Sequence, residues 1–241
     1  MRDRYDPRMQ RRSWFIDELG HAGSEHLDTE YVQGYDRKAG FDPVAEIALL
    51  RDFGLGPDST LIDLGAGTGA LSLAAAQVCR RVVAVDVSIP MLDAVRAKAR
   101  ELKTTNIEIV RAGFLSYEHG NEQADFVYTR NALHHLPDFW KAIALERMAG
   151  FLRPGGVLRL RDLVFSFEPV DTDPVVEAWL QRAPEQPELG WTRSELEIHL
   201  REEYSTFTWL LEPMIARVGF EIRDATYDDT RVFASYTCVK G

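Results

Sequence analysis

Short apolar runs and helix-spaced apolar stripes alternate along this chain. Runs that read as strands occupy about residues 59–64, 81–86, 107–110, 124–130 and 157–163. Met91, Leu92, Val95, Ala99 and Leu102 recur at helical spacing between two of them, and Ala142, Leu145, Ala149 and Leu152 do so before the fifth. Pro154-Gly155-Gly156 then closes that helix. Residues 13 to about 54 read mainly as helix, with Ile47, Leu50 and Phe53 on one face and a start at Asp42-Pro43. Strands alternating with helices predict a parallel sheet covered on both faces. The end of the chain differs. Leu211, Met214, Ile215 and Val218 form a stripe, with Pro213 near the helix start or kinking it, and Gly219 stops the helix. Residues 220–227 and 231–239 then read as two strands joined around Asp228-Asp229-Thr230, which is too short a link for anything but an antiparallel pair. The expectation is a three-layer α/β fold on a seven-stranded, mostly parallel sheet with an antiparallel C-terminal strand.

The most specific stretch is Leu61-Ile62-Asp63-Leu64-Gly65-Ala66-Gly67-Thr68-Gly69-Ala70. It reads as a strand running into a glycine turn that opens a helix over residues 71–78. Such a turn reaches positive φ and lets a ligand approach the backbone, with the helix N–H groups aimed at it. Gly65 to Ala70 also satisfies the looser dinucleotide pattern G-x-G-x-x-A, so NAD(P) competes for the loop. Asp63 shifts the balance, because a carboxylate at the strand end repels pyrophosphate and attracts an ammonium or sulfonium group. Asp86 closes the second strand 21 positions after Gly65, where an acid bonds ribose hydroxyls in either cofactor. Ser88 is the candidate cap of the helix that follows. Asp63, Asp86, Phe114, Asn131 and Asp162 all fall at strand carboxyl ends, where open α/β sheets bind ligands.

These residues resemble the class I S-adenosylmethionine-dependent methyltransferases. Asp63 to Gly69 is similar to that family's glycine motif and Asp86 to its ribose acid. Ala124 to Asp138, containing Leu133-His134-His135-Leu136-Pro137, resembles its fourth-strand motif, and Leu152 to Leu158 the turn into its fifth strand. The resemblance covers about residues 43–163 well and the segment from about Ser205 more loosely, and points to the small-molecule methyltransferases. It implies a Rossmann-like core of residues 43–163 and 205–241, with S-adenosylmethionine as cofactor and S-adenosylhomocysteine as product. The expected cofactor contacts are Tyr35, Asp63, Gly65, Ala66, Gly67, Gly69, Asp86, Val87, Met91, Gly113, Phe114 and Asn131. Asn131 is placed at the methionyl part and Gly113-Phe114 along the adenine, with a core Phe114 as the competing reading. Tyr31 and Tyr35 would close over the methionyl end or pack in the core.

Residues 1–42 and 164–204 flank this core as expected lids. The second segment carries Pro169, Pro174, Pro184, Pro187, Trp179, Trp191 and a capping-box start at Thr192-Arg193-Ser194-Glu195. Forty such residues without structure are improbable, so a small helical insertion is expected. The chain has 241 residues and a formal net charge of −10, which disfavours broad attraction to nucleic acid or an anionic membrane. Arg2, Arg4, Arg8, Arg11 and Arg12 break that trend and read as a solvated tail. Cys79 and Cys238 sit in apolar elements and read as buried thiols. With no signal peptide or long apolar run, a cytoplasmic setting is expected. A small-molecule partner is expected, with a homodimer compatible.

Methyl transfer is a displacement at the sulfonium carbon, so the protein chiefly positions the acceptor and excludes water. His134 and His135 are the candidate catalytic residues, able to take an acceptor proton or to brace the turn, with His135 the one read as turned into the protein. Asp162 could orient an acceptor or bond the backbone. There is no Asp/Asn-Pro-Pro-Tyr run for base amino-methylation, and Arg130-Asn131 stands where the metal-dependent catechol type wants a carboxylate, so no metal is implied. Trp179, Trp191, Phe207 and Trp209 suggest a flat or apolar acceptor if they line the lid, and could equally be core. The acceptor atom (O, N or C) stays open, and an RNA base or protein side chain is compatible. An NAD(P)-dependent oxidoreductase and a non-catalytic cofactor-binding regulator are the rival readings.

Overall fold

A computed structural model describes residues 13–120 and 122–241. The basic tail expected over the first twelve residues lies outside them. The central sheet is built from β1 (Thr60–Leu64), β2 (Arg81–Asp86), β3 (Ile107–Arg111), β4 (Ala124–Arg130), β5 (Leu152–Phe165), β7 (Phe220–Tyr227) and β8 (Phe233–Lys240). Their order is β3-β2-β1-β4-β5-β8-β7, and a two-residue β6 (Thr206–Phe207) adds to the far end of β5. The first five pair in parallel, while β8 runs antiparallel to both β5 and β7. The chain crosses from β3 back past β1 to β4, so a switch point lies between β1 and β4, where a crevice opens at the strand carboxyl ends.

The helices are α1 (Thr29–Ala39), α2 (Pro43–Asp52), α3 (Ala70–Ala76), α4 (Ile89–Glu101), α5 (Asp138–Phe151), α6 (Thr172–Leu180), α7 (Arg193–Glu202) and α8 (Thr208–Arg217). The period of two along β1 sorts its residues between layers. Ile62 and Leu64 pack with α5 and α8 residues such as Leu145, Met148 and Ile215, whereas Leu61 packs with Ile47 and Leu50 of α2 and Leu71 and Ala75 of α3. Asp63 shares the α3 face with Leu61, which puts a carboxylate under the glycine turn. The caps follow the sequence. Asp42 accepts from Val44 and Ala45 N–H with Pro43 in the first turn, Ser88 accepts from Met91 N–H, and Thr192 and Glu195 complete a capping box.

Several expectations are corrected. Residues 13–28 are turns and one short 3-10 turn (Ser24–Leu27) rather than helix, because Asp17 takes the Leu19 N–H with its side chain and Gly20 and Gly23 interrupt the run. β5 begins at Leu152, not after Pro154-Gly155-Gly156. They lie inside the strand, where Arg153, Pro154 and Gly155 are exposed and the pairing with β4 shifts register. Of the two places expected for Pro213, it takes the one inside α8. Trp179 is buried with Leu163, Leu180 and Val232 and Trp209 is 52% exposed, so neither lines a lid pocket.

Candidate active site

The glycine turn does three different jobs. Gly65, Gly67 and Gly69 all have positive φ, at 73°, 54° and 80°. A Cβ on Gly65 would fall 2.4 Å from the Ala132 Cβ, so glycine is what lets the turn after β1 pack closely against the turn after β4. A Cβ on Gly67 would meet only the Tyr35 ring, at 3.8 Å, so its face is open. A Cβ on Gly69 would press on Val95 Cγ2 at 2.9 Å. Gly69 is therefore the packing glycine between α3 and α4 and borders none of the three cavities described below. Asp86 braces the turn: its carboxylate accepts from Gly67 N–H at 2.8 Å and from Ser88 N–H at 2.8 Å.

Two spaces border this turn, and a third shares wall residues with both. A cleft of about 670 Å³ is bordered by Tyr35, Gly65, Gly67, Asp86, Val87, Met91, Gly113, Phe114, Asn131 and His135. Beneath the turn, a space of about 640 Å³ is bordered by Asp63 and Ala66, together with Gly65, Gly67, Tyr35 and Asn131. Under α1 and α7, a chamber of about 1170 Å³ is bordered by His134, Tyr31, Trp191, Leu196, Glu203 and Phe233. Tyr35 and Asn131 border all three. Asn131 sits at positive φ (48°), a conformation that asparagine tolerates, and its Oδ1 accepts from Arg161 at 2.5 Å.

The acids do not behave alike. Burial pushes Asp63 up to about 7, only partly offset by the Ser72 hydroxyl that donates to it at 2.6 Å. Burial also raises Asp86, against the pull of its two backbone donors. Burial would lower His134, but Asp162 and Glu203 outweigh it and hold the ring up to about 9. Asp162 accepts His134 N–H at 3.1 Å, and its other oxygen meets the ring Nδ1. Burial and the charge of His134 together hold His135 well below its ordinary value. The two rings are both largely buried and border different spaces, His134 the chamber and His135 the cleft.

An open face at Gly67, an acid on the cleft wall and a second acid under the turn suit a nucleoside carrying a cationic amino-acid tail. Residues 61–156 match the family model described as a methyltransferase domain. An uncharacterized methyltransferase of Bacillus mycoides is 26% identical over 207 residues, covering 86% of this chain and 88% of that protein. The matched domain and these relatives place an S-adenosylmethionine-dependent methyltransferase core in this chain. Solved methyltransferases share the fold. The magnesium protoporphyrin IX methyltransferase of Synechocystis, solved with bound S-adenosylmethionine, superposes with a TM-score of 0.65 at 17% identity, covering 95% of this chain and all of that one. A phosphoethanolamine N-methyltransferase of Haemonchus contortus does so at 0.69 and 14%, covering 93% and 60%.

This methyltransferase also has site residues that the sequence did not single out. Glu18 closes one end of the cleft: its carboxylate accepts from Leu115 N–H at 2.9 Å, Ser116 N–H at 3.0 Å and Ser116 Oγ at 2.7 Å, directly over Gly113. His26 borders both cleft and chamber and is tied down through its carbonyl, which accepts from Ser88 Oγ at 2.6 Å. Neither lies in a recognisable motif. His199 and Glu203, four apart at the end of α7, did carry a signal, because that spacing puts both side chains on one helix face.

Proposed function

We propose that S-adenosylmethionine occupies the cleft and that its methyl group is passed to a small molecule held in the chamber. The single observation that carries this reading is the shared wall: Tyr35, Asn131 and His26 border both spaces, so a methyl donor in one lies against an acceptor in the other. The donor supplies the electrophilic methyl group and the leaving group. Asp86 is assigned to the ribose, Gly113 and Phe114 to the adenine, and Asp63 with Asn131 to the amino-acid tail. The lid segment before α2 and the α6–α7 insertion roof the chamber and exclude water, which favours displacement over hydrolysis. His134 and His135, at the junction, are assigned to the acceptor. The chamber's mixture of Tyr31, Tyr35, Trp191 and Phe233 with Glu195, Glu202 and Glu203 suits a compact ring-bearing or amine-bearing acceptor rather than a nucleic-acid backbone.

Calorimetry with S-adenosylmethionine, S-adenosylhomocysteine and NADH tests the cofactor, and methyl-labelled donor incubated with a cell extract tests the acceptor. Saturable binding of the first two and label in the low-molecular-weight fraction are expected. Binding of NADH instead, or label confined to RNA or protein, would overturn the reading.

A further inference from the structure

At the junction of cleft and chamber, four side chains converge. His134 and His135 come from the short 3-10 turn after β4, and His199 and Glu203 from the end of α7. Glu203 Oε2 lies 3.0 Å from His134 Nε2, 3.9 Å from His135 Nδ1 and 2.5 Å from His199 Nδ1. Yet Glu203 Oε2 and His135 Nδ1 are both shielded from solvent and have no aligned hydrogen bond among the described residues. Three histidine nitrogens thus gather around one carboxylate oxygen, a cluster in which a metal ion can take the place of the shared protons.

We propose that His134 Nε2, His135 Nδ1 and Glu203 Oε2 bind a divalent first-row metal ion, with Zn²⁺ as its probe. The three atoms lie within 4.8 Å of one another. A tetrahedral ion with nitrogen and oxygen bonds near 2.0–2.1 Å spaces its ligands roughly 3.4 Å apart, so closing the site needs a side-chain adjustment of about an ångström. Two histidines with one carboxylate form a ligand set with coordination positions left open. The outer support is already in place. Asp162 meets His134 at Nδ1, the ring nitrogen away from the site, which leaves Nε2 to face the site, where an ion would displace its proton. His199 braces Glu203 from one helical turn earlier, and Ser205 Oγ in turn holds His199 Nε2 at 2.8 Å. His134 and Glu203 border the chamber while His135 borders the cleft, so an ion here stands on the partition between donor and acceptor. Its role as an anchor for an acceptor oxygen rests on the methyl-transfer reading above, whereas its binding does not.

The experiment uses the full-length, tag-free chain stripped with chelator, then dialysed to equilibrium against Zn²⁺, with Co²⁺ absorption reporting the ligand field. One ion per chain is expected. Glu203→Gln and His135→Gln should each weaken binding by more than the roughly 10–100-fold that loss of an outer partner costs, while the melting transition of each is kept. Having two variants guards against one misfolding. Less than one ion per chain in the wild type, or unchanged affinity in both folded variants, would overturn the proposal. A stoichiometric ion in a chain that transfers no methyl group would leave the metal site standing and refute the methyl-transfer reading. Full methyl transfer by a chain that binds no stoichiometric ion would do the reverse.

Discussion

Replacing Asp63 with asparagine should separate stability from cofactor binding. The carboxyl group is 2% exposed, its partner is the Ser72 hydroxyl, and burial raises it from 3.8 to about 7. A carboxyl raised in the fold binds protons that the unfolded chain releases. Its contribution to stability is therefore complete below pH 3.8 and is lost as pH rises through about 7. The slope is about 1.36 kcal/mol per pH unit and flattens near the folded value, so the rise from about pH 5 to 7 costs the wild type about 2 kcal/mol through this group alone. Asparagine cannot ionise. It keeps an acceptor for Ser72 but buries an amide N–H₂, which costs about 1–3 kcal/mol at every pH. The quantity to measure is thus the difference between wild type and variant, from urea denaturation at about pH 5, 6, 7 and 8. The Asp63→Asn variant should be less stable at the lowest pH, gain on the wild type with each step upward, and match or exceed it at the highest. Calorimetry on the same variant should show weaker S-adenosylmethionine binding at that highest pH, because a negative charge facing the cationic donor is gone. Parallel stability curves for the two proteins would refute the reasoning.

Other consequences are simpler to read. Gly65→Ala should abolish cofactor binding in calorimetry and lower stability by at least about 1–2 kcal/mol, since alanine must take a left-handed backbone with its Cβ 2.4 Å from Ala132. Glu46→Ala should cost about 3–5 kcal/mol by chemical denaturation, because it strands the Arg159 guanidinium, whose side chain is 7% exposed and pairs with Glu46 at 2.6 Å. Thr192→Ala removes the capping box of α7 and should lower the melting temperature by about 2–4 °C, at about 1 kcal/mol for a lost cap in a chain of this size. Steady-state kinetics of that variant should show a raised acceptor KM with the donor KM unchanged.

The core was legible because its signals are local. Gly65 to Gly69 demand a turn whatever surrounds them, Asp86 ends a run of valines, and the short link at Asp228-Asp229-Thr230 can only reverse the chain. The capping residues Asp42, Ser88 and Thr192 act on N–H groups two or three positions away, so they too could be read in one dimension. What escaped depends on long-range docking. Glu18 reaches backbone donors nearly a hundred positions later, at Leu115 and Ser116. Glu203 acquires its meaning only when α7 is laid against the turn after β4. The aromatic residues of the insertion and its flank show the same limit. Trp179, Trp191 and Trp209 are alike in sequence, yet one is buried in a core cluster, one borders the chamber and one faces solvent. Their placement is set by which face of the segment packs on β5 and β8, and no residue in it announces that face.

The most direct test of the account is a crystal structure of the chain grown with S-adenosylhomocysteine. The account predicts the ribose hydroxyls on Asp86, the adenine between Met91 and Phe114, and the sulfur at the wall formed by Tyr35 and Asn131, facing the chamber. A nucleoside bound elsewhere, or a sulfur directed away from that wall, would contradict it.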